Sequence, residues 1–163
     1  MDLAKAARDP WVWGQLALFL LVGLAAPLLP RHLNLGSADF MVNRVDPAWI
    51  RWLGAGLIGP GAFMMVWGIR SLGGNLTPGT EPLPRAELIT TGAYAHARHP
   101  IYAGVVLFLT GYTLAWSNWT LALLLGFIAL QYFKGKAGAE EKRLLERFPA
   151  YKTYRRQVPR QVI

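Results

Sequence analysis

Two polar clusters in this sequence combine residue types and spacings suited to chemistry. The first runs Thr91-Gly92-Ala93-Tyr94-Ala95-His96-Ala97-Arg98-His99-Pro100-Ile101-Tyr102-Ala103-Gly104. The second opens with Glu140-Glu141 and continues as Phe148-Pro149-Ala150-Tyr151-Lys152-Thr153-Tyr154-Arg155-Arg156-Gln157-Val158-Pro159. Pro100 suits the first position of a helix, where it sets the entry angle without losing a hydrogen bond. Arg98, His99 and Tyr102 then stand where the amides of a helix N-terminus attract an anion such as a carboxylate. Glu140 and Glu141 suit hydroxyls or a positive charge. Brought together, the two clusters would hold a zwitterionic ligand beside a lipid-accessible cavity.

Plainer readings of the same residues compete. Glu140 with Arg143, and Lys142 with Glu146, have the spacing of ordinary pairs on an exposed helix. Tyr151 and Tyr154 read equally well as interfacial anchors. His96 and His99 lack a third ligand at a clear spacing, so no metal site is expected. Without cysteine, disulfides, thiolate metal sites, cysteine nucleophiles and lipidated cysteines are excluded. Three histidines are also too few for a histidine-rich di-iron site.

The elements that must position these clusters follow from where charge is missing. Of the chain, 53% is hydrophobic and 16% charged, which excludes a disordered protein. Residues 10–30, 52–69 and 99–133 contain no Asp, Glu, Lys or Arg, the pattern of an all-α integral membrane protein. A first span is expected over Trp11 to Leu29, close to the ~20 residues a bilayer core requires, with Pro30 ending it. A cleaved signal peptide is the competing reading of this run, opposed by its length and by Asp2 and Asp9 in its flank. Residues 31–47 read as an external loop, and a second span follows over 48–72. Its interior, Gly54 to Gly61, reads as a helix-packing surface with a kink at Pro60, and no intramembrane acid supports a proton relay.

Gly73-Gly74-Asn75, Thr77-Pro78-Gly79 and Pro82-Leu83-Pro84 preclude a continuous helix, so 73–100 is expected to be an ordered cytoplasmic loop. The uncharged run 101–133 reads as a helical hairpin divided at Trp116-Ser117-Asn118-Trp119. Its second helix is expected to continue past Lys134, with Lys134 and Lys136 snorkelling, into the cytoplasm as far as Phe148. About four transmembrane helices result. The segment 134–163 holds nine Lys or Arg against Glu140, Glu141 and Glu146, +6 of the formal +8, which places both termini in the cytoplasm. Because it follows a hydrophobic segment directly, its expected partners are anionic membrane lipids and not nucleic acid. Composition rich in Ala, Gly, Arg and Leu fits a bacterial inner membrane.

With these parts in order, the chain resembles a family. Gly92-x-Tyr94-x-x-x-Arg98-His99-Pro100-x-Tyr102-x-Gly104, then Glu140-Glu141, then Phe148-x-x-Tyr151-x-x-Tyr154-x-x-x-Val158-Pro159 resembles the C-terminal signature of isoprenylcysteine carboxyl methyltransferases. Leu72-Gly73-x-Asn75-x-Thr77-Pro78 resembles the approach to it, and phospholipid N-methyltransferases share a similar pattern. The resemblance divides the chain into N-terminal transmembrane helices, 1–71, and a methyltransferase-like region, 72–163. It implies a membrane enzyme using S-adenosylmethionine, enclosed by the loop before the hairpin and the helix after it. Glu87, Leu88, Ile89, Tyr94, His99, Pro100, Ile101, Tyr102 and Glu140 would form the cofactor site. Lys136 stands where eukaryotic members have an arginine facing the acceptor, keeping the charge without the bidentate fork.

Methyl transfer from a sulfonium is an in-line displacement, governed by positioning. A carboxylate acceptor is already ionised at neutral pH and needs only partial neutralisation, the role open to Lys136. A phosphatidylethanolamine amine must instead lose a proton, with His99 or Glu141 as candidate base. Tyr94 or Tyr102 would face the sulfonium. The expected reaction is methyl esterification of a lipophilic small-molecule or lipid carboxylate, admitted between Tyr102, Val106, Leu107, Phe127 and Phe133. N-methylation of a phospholipid, a nicotinamide-dependent membrane reductase with a similar signature, and a non-catalytic membrane protein are the alternatives.

Overall fold

The computed structural model describes residues 7–28, 48–116 and 119–162, and among them every regular element is helical. Helix α1 (Pro10–Leu28) starts as its sequence demands. Asp9 accepts a hydrogen bond from the Trp11 amide at 2.9 Å, and Pro10 occupies the first helical position. One face of α1 buries Leu18, Val22 and Ala26, while Trp13, Leu20, Leu24 and Leu28 point outward. Helix α2 (Ala48–Leu72) continues through Pro60 and likewise exposes Trp49, Trp52, Phe63 and Val66. Large apolar side chains exposed along both helices are tolerable only in lipid. These two helices are long and apolar enough to span a membrane.

Glycine sets how α2 meets α3 (Pro100–Trp116). Gly54, Gly61 and Gly68 recur every seventh position, about two helical turns apart, and so share a face. A Cβ on Gly61 would lie 2.7 Å from the backbone nitrogen of Phe108 and 2.9 Å from the Gly104 carbonyl oxygen. One on Gly54 would lie 2.7 Å from the Gly111 oxygen, so the two backbones approach closely along an antiparallel seam. The expected packing surface is thus present at Gly54 and Gly61, whereas Gly56 and Gly59 face no neighbour within 4 Å.

Helix α4 (Trp119–Arg147) is apolar to Phe133 and polar from Lys134. Its Leu125, Ala129 and Phe133 pack with Val105 and Val106 of α3 and with Leu18 and Val22 of α1. A short α5 (Tyr151–Gln157) follows. The chain then returns to the start of α3, where the Arg98 and His99 amides each donate 2.9 Å hydrogen bonds to the Arg160 and Gln161 carbonyls. Between α2 and α3 lie two 3₁₀ turns, Gly73–Asn75 and Gly92–Ala95, opening on Gly73 (φ +56°) and Gly92 (φ +63°), conformations that favour glycine. Leu29, Pro30, the expected loop at 31–47 and the Ser117-Asn118 turn fall outside the described residues.

Candidate active site

At the polar end of the helices the loop, the start of α3 and the polar half of α4 enclose a cavity of about 450 Å³, within the usual size range of small-molecule sites. Lys136, Glu140 and Leu144 enter it from α4 because four-residue steps keep a helical face. Arg98 and His99 enter before α3, and Ile101 and Tyr102 from its first turn. The loop supplies Asn75, Leu76, Thr77, Pro78, Thr80 and Pro82, then Ala86, Glu87, Leu88 and Ile89. Tyr94, Phe148, Tyr151 and Tyr154 complete the far side, and α1 contributes Gln15.

A chain of alternating charges organises one wall. Tyr102 donates to Glu140 Oε1 at 2.7 Å, and Glu140 Oε2 lies 3.2 Å from His99 Nδ1. On the other edge of the imidazole, Nε2 is 3.3 Å from Glu141 Oε1, an ion-pair contact whose direction is too poor for a hydrogen bond. Glu141 accepts a 2.9 Å hydrogen bond from Arg98 Nε, and Arg155 Nε stands 3.6 Å from its second oxygen. Arg98 Nη1 also donates to the Val158 and Pro159 carbonyls at 2.7 Å each. Burial opposes charge on His99, but Glu140 and Glu141 on either side outweigh it and raise its pKa. Burial similarly opposes the Glu141 carboxylate, and His99 and Arg98 overcome it, holding Glu141 well below the usual range. The His99 ring stacks on Tyr102 at 5.4 Å between centroids, fixing its plane.

Lys136 is only 1% exposed. Its Nζ donates to Gln15 Oε1 at 2.6 Å and to the Pro78 carbonyl at 2.8 Å, with the Tyr102 ring centroid 5.3 Å away. It therefore turns into the cavity wall instead of snorkelling to the membrane surface. The loop carrying Pro78 is tied down twice more. Thr80 donates to Asp9 Oδ2 through its amide at 2.7 Å and its hydroxyl at 2.8 Å, and Arg147 donates to the Pro82 and Pro84 carbonyls.

Of the residues expected to form a cofactor site, Glu87, Leu88, Ile89, Tyr94, His99, Ile101, Tyr102 and Glu140 line this cavity. Pro100 does not; it is buried with its ring against α2 at Gly68. Among the expected catalytic groups Lys136 and His99 line the cavity, whereas Glu141 is buried behind it among Arg98, His99 and Arg155. Three further expectations are corrected. Glu140 does not pair with Arg143 on a solvated helix face: Glu140 turns to Tyr102 and His99, and Arg143 faces Asp9 at 4.0 Å. Tyr151 and Tyr154 are buried rather than interfacial, the Tyr154 hydroxyl donating to the Tyr94 carbonyl at 2.7 Å. Val106 and Phe133 belong to the core and Phe127 is exposed, so of the expected acceptor passage only Tyr102 reaches the cavity. Sequence reasoning missed Gln15, although it is the one side chain of α1 bearing an amide, hydroxyl or charge. It also missed Thr80 and Leu144 as wall residues, which no local signal marks, whereas Phe148, another wall residue, stands in the quoted signature.

Fold and site together define an all-α membrane protein with a ligand-sized, mainly apolar cavity, one wall of it charged, at one end of its bundle. Residues 54–146 match the family model for the isoprenylcysteine carboxyl methyltransferase family, and the chain belongs to that family. It is similar to a protein-S-isoprenylcysteine O-methyltransferase of Schizosaccharomyces pombe, 33% identical over 73 residues, a stretch covering 44% of this chain and 31% of that protein. The chain thus matches about a third of the length of this curated relative.

Proposed function

We propose that this protein transfers a methyl group from S-adenosylmethionine to the carboxylate of a lipophilic, isoprenylcysteine-like acceptor at the membrane face. The donor set of the cavity fits such a cofactor. Glu87 and Glu140 suit its hydroxyls and ammonium, Lys136 its carboxylate or that of the acceptor, and Leu88, Ile89, Leu144 and Phe148 a flat apolar base. When bound, it supplies an electrophilic methyl group on a sulfonium. The chain's own task is to hold an anionic oxygen in line with that carbon and to exclude water. Lys136 offers a buried positive charge for the anion, held by neutral oxygens that do not cancel it.

One observation carries the preference for a carboxylate over a phospholipid amine. An amine must lose its proton before it attacks, yet His99 stands between Glu140 and Glu141, which favour its charged form, and His99 and Arg98 hold the Glu141 pKa low. Both arrangements work against their taking a proton from an amine. We propose that both termini lie in the cytoplasm, supported by the +6 charge of 134–163, and that the membrane is a bacterial inner membrane, which the composition rich in Ala, Gly, Arg and Leu fits. The test is a single vesicle preparation containing methyl-labelled donor, a prenylated thiol acid and phosphatidylethanolamine. Base-labile label on the acid is expected; base-stable label on the phospholipid refutes the proposal.

A further inference from the structure

We propose that Gln15 is a positioning residue, whose side-chain oxygen, brought by α1 from outside the matched region 54–146, fixes the Lys136 ammonium in the cavity wall. The inference rests on the function proposed above for what Lys136 is positioned to do, but the placement itself stands on geometry. Gln15 lies three residues before Leu18 and seven before Val22, so it continues the buried stripe of α1 one turn towards the cavity. In an otherwise apolar helix, an amide aimed into the bundle has its desolvation offset only by a partner. That partner is Lys136 Nζ at 2.6 Å, and the Pro78 carbonyl at 2.8 Å accepts a second ammonium proton. An ammonium has three donors, so one remains for an anion in the cavity.

The chemistry of the holder matters. Gln15 and Pro78 are neutral acceptors, which restrain the cation while leaving its charge effective. A carboxylate in place of Gln15 would hold the lysine equally well and cancel it. The charged and titratable groups facing Lys136 are Asp9 at the head of α1, Tyr102 on α3 and Glu140 one turn further along α4; the loop presents the Pro78 carbonyl. Burial favours the neutral amine of Lys136, against which Glu140 and Asp9 act only in part. Loss of the Gln15 oxygen should therefore make the ammonium easier to deprotonate.

The test is titration of the lysine side chains by NMR in the detergent-solubilised full chain, labelled at Lys Cε, with Lys136→Met assigning the resonance. Relative to wild type, Gln15→Met should lower the Lys136 midpoint by about one pH unit, the order of a hydrogen bond to a charged group, and Gln15→Glu should raise it. In parallel, Gln15→Met should bring the alkaline loss of kcat/KM for a prenylated acid to lower pH. Gln15→Glu should reduce kcat/KM about tenfold at every pH, with donor affinity retained. A Lys136 midpoint unmoved by both substitutions overturns the inference, even where methyl transfer is normal. Absence of methyl transfer by the wild type, with the midpoints moving as stated, overturns the proposed reaction and leaves the positioning of the lysine standing.

Discussion

His99 and Glu141 lean on one another, and the sign of each pKa shift sets when that contact stabilises. Glu141 is held below its ordinary value of 4.5, so its contribution is present above that pH and is lost as pH falls through the lowered value. His99 is raised above 6.5, so its contribution is complete below 6.5 and is lost as pH climbs through the raised value. The contact is therefore strongest between about pH 4.5 and 6.5. Thermal unfolding followed by tryptophan fluorescence should show a stability gap between wild type and His99→Gln that is widest near pH 6 and narrows towards alkaline pH. Parallel curves from pH 5 to 10 would show that His99 does not titrate against these carboxylates. Glu141→Gln should be the more damaging change, by about 3 kcal/mol, because it leaves the buried Arg98 guanidinium without its anion. The proximity of Arg98-His99 to Glu140-Glu141 was legible in the sequence, since both flank one hairpin. From spacing alone the roles within the pair were not, since adjacent glutamates look alike; the resemblance singled out Glu140 for the cofactor site, and the helix phase turns Glu140 to the cavity and Glu141 behind it.

Helices α2 and α3 are joined by absent side chains, and their seam can be tested against an internal control. Gly61→Ala would force a methyl to 2.7 Å from the Phe108 backbone nitrogen, which cannot give way without parting the helices. A loss of about 1–3 kcal/mol is expected. Gly59→Ala meets nothing within 4 Å and should be neutral or slightly stabilising through helix propensity. Equal effects of the two would mean that the seam does not govern stability. The loop 76–84 is instead held by point contacts. Thr80→Val removes the hydroxyl that donates to Asp9 and keeps the volume, so it should speed release of a bound donor analogue, read by stopped-flow fluorescence, while barely moving the melting temperature. The limits of α1, α2 and the hairpin could be read from uncharged runs, Pro100 and the indoles. The tethers of the loop could not, because Asp9, Lys136 and Arg147 lie far from it in sequence and each has an equally ordinary surface role. Lys136 shows this most clearly: a lysine just past an apolar run reads the same whether it turns outward to headgroups or inward to a carbonyl.

Depth in the bilayer connects the cavity to its proposed acceptor. Phe133 ends the apolar part of α4 and packs on Tyr102, 5.0 Å between centroids, so the first turn of α3 and the end of the apolar α4 lie at one level. From there α3 rises 17 residues, about 25 Å, to Trp116. Because α2 runs antiparallel beside it, exposed Trp49 and Trp52 stand with Trp116 at the far end, while Trp13 and Trp67 are exposed near the cavity end. Two aromatic belts of this kind are the pattern expected at two headgroup layers, and under the proposed topology the cavity would lie just outside the nearer one. A tail in the hydrocarbon contributes about 0.8 kcal/mol per buried CH₂, enough to concentrate an acceptor whose head stops at this depth. Arg85, Arg143, Arg147, Arg155 and Arg156 surround the same end, which supports the cytoplasmic orientation proposed for it. The chain contains no cysteine, so single cysteines report orientation without background. Thr80 is too buried to serve, but Arg85 and Lys152 are exposed. Cysteines at Arg85 and Lys152 should react with an impermeant maleimide only after cells are permeabilised, and one at Ser37 should react in intact cells. Labelling of Arg85→Cys from outside would invert the orientation and put the cavity beyond the reach of a cytoplasmic methyl donor. Labelling of all three from one side would mean that α1 and α2 do not cross as a pair.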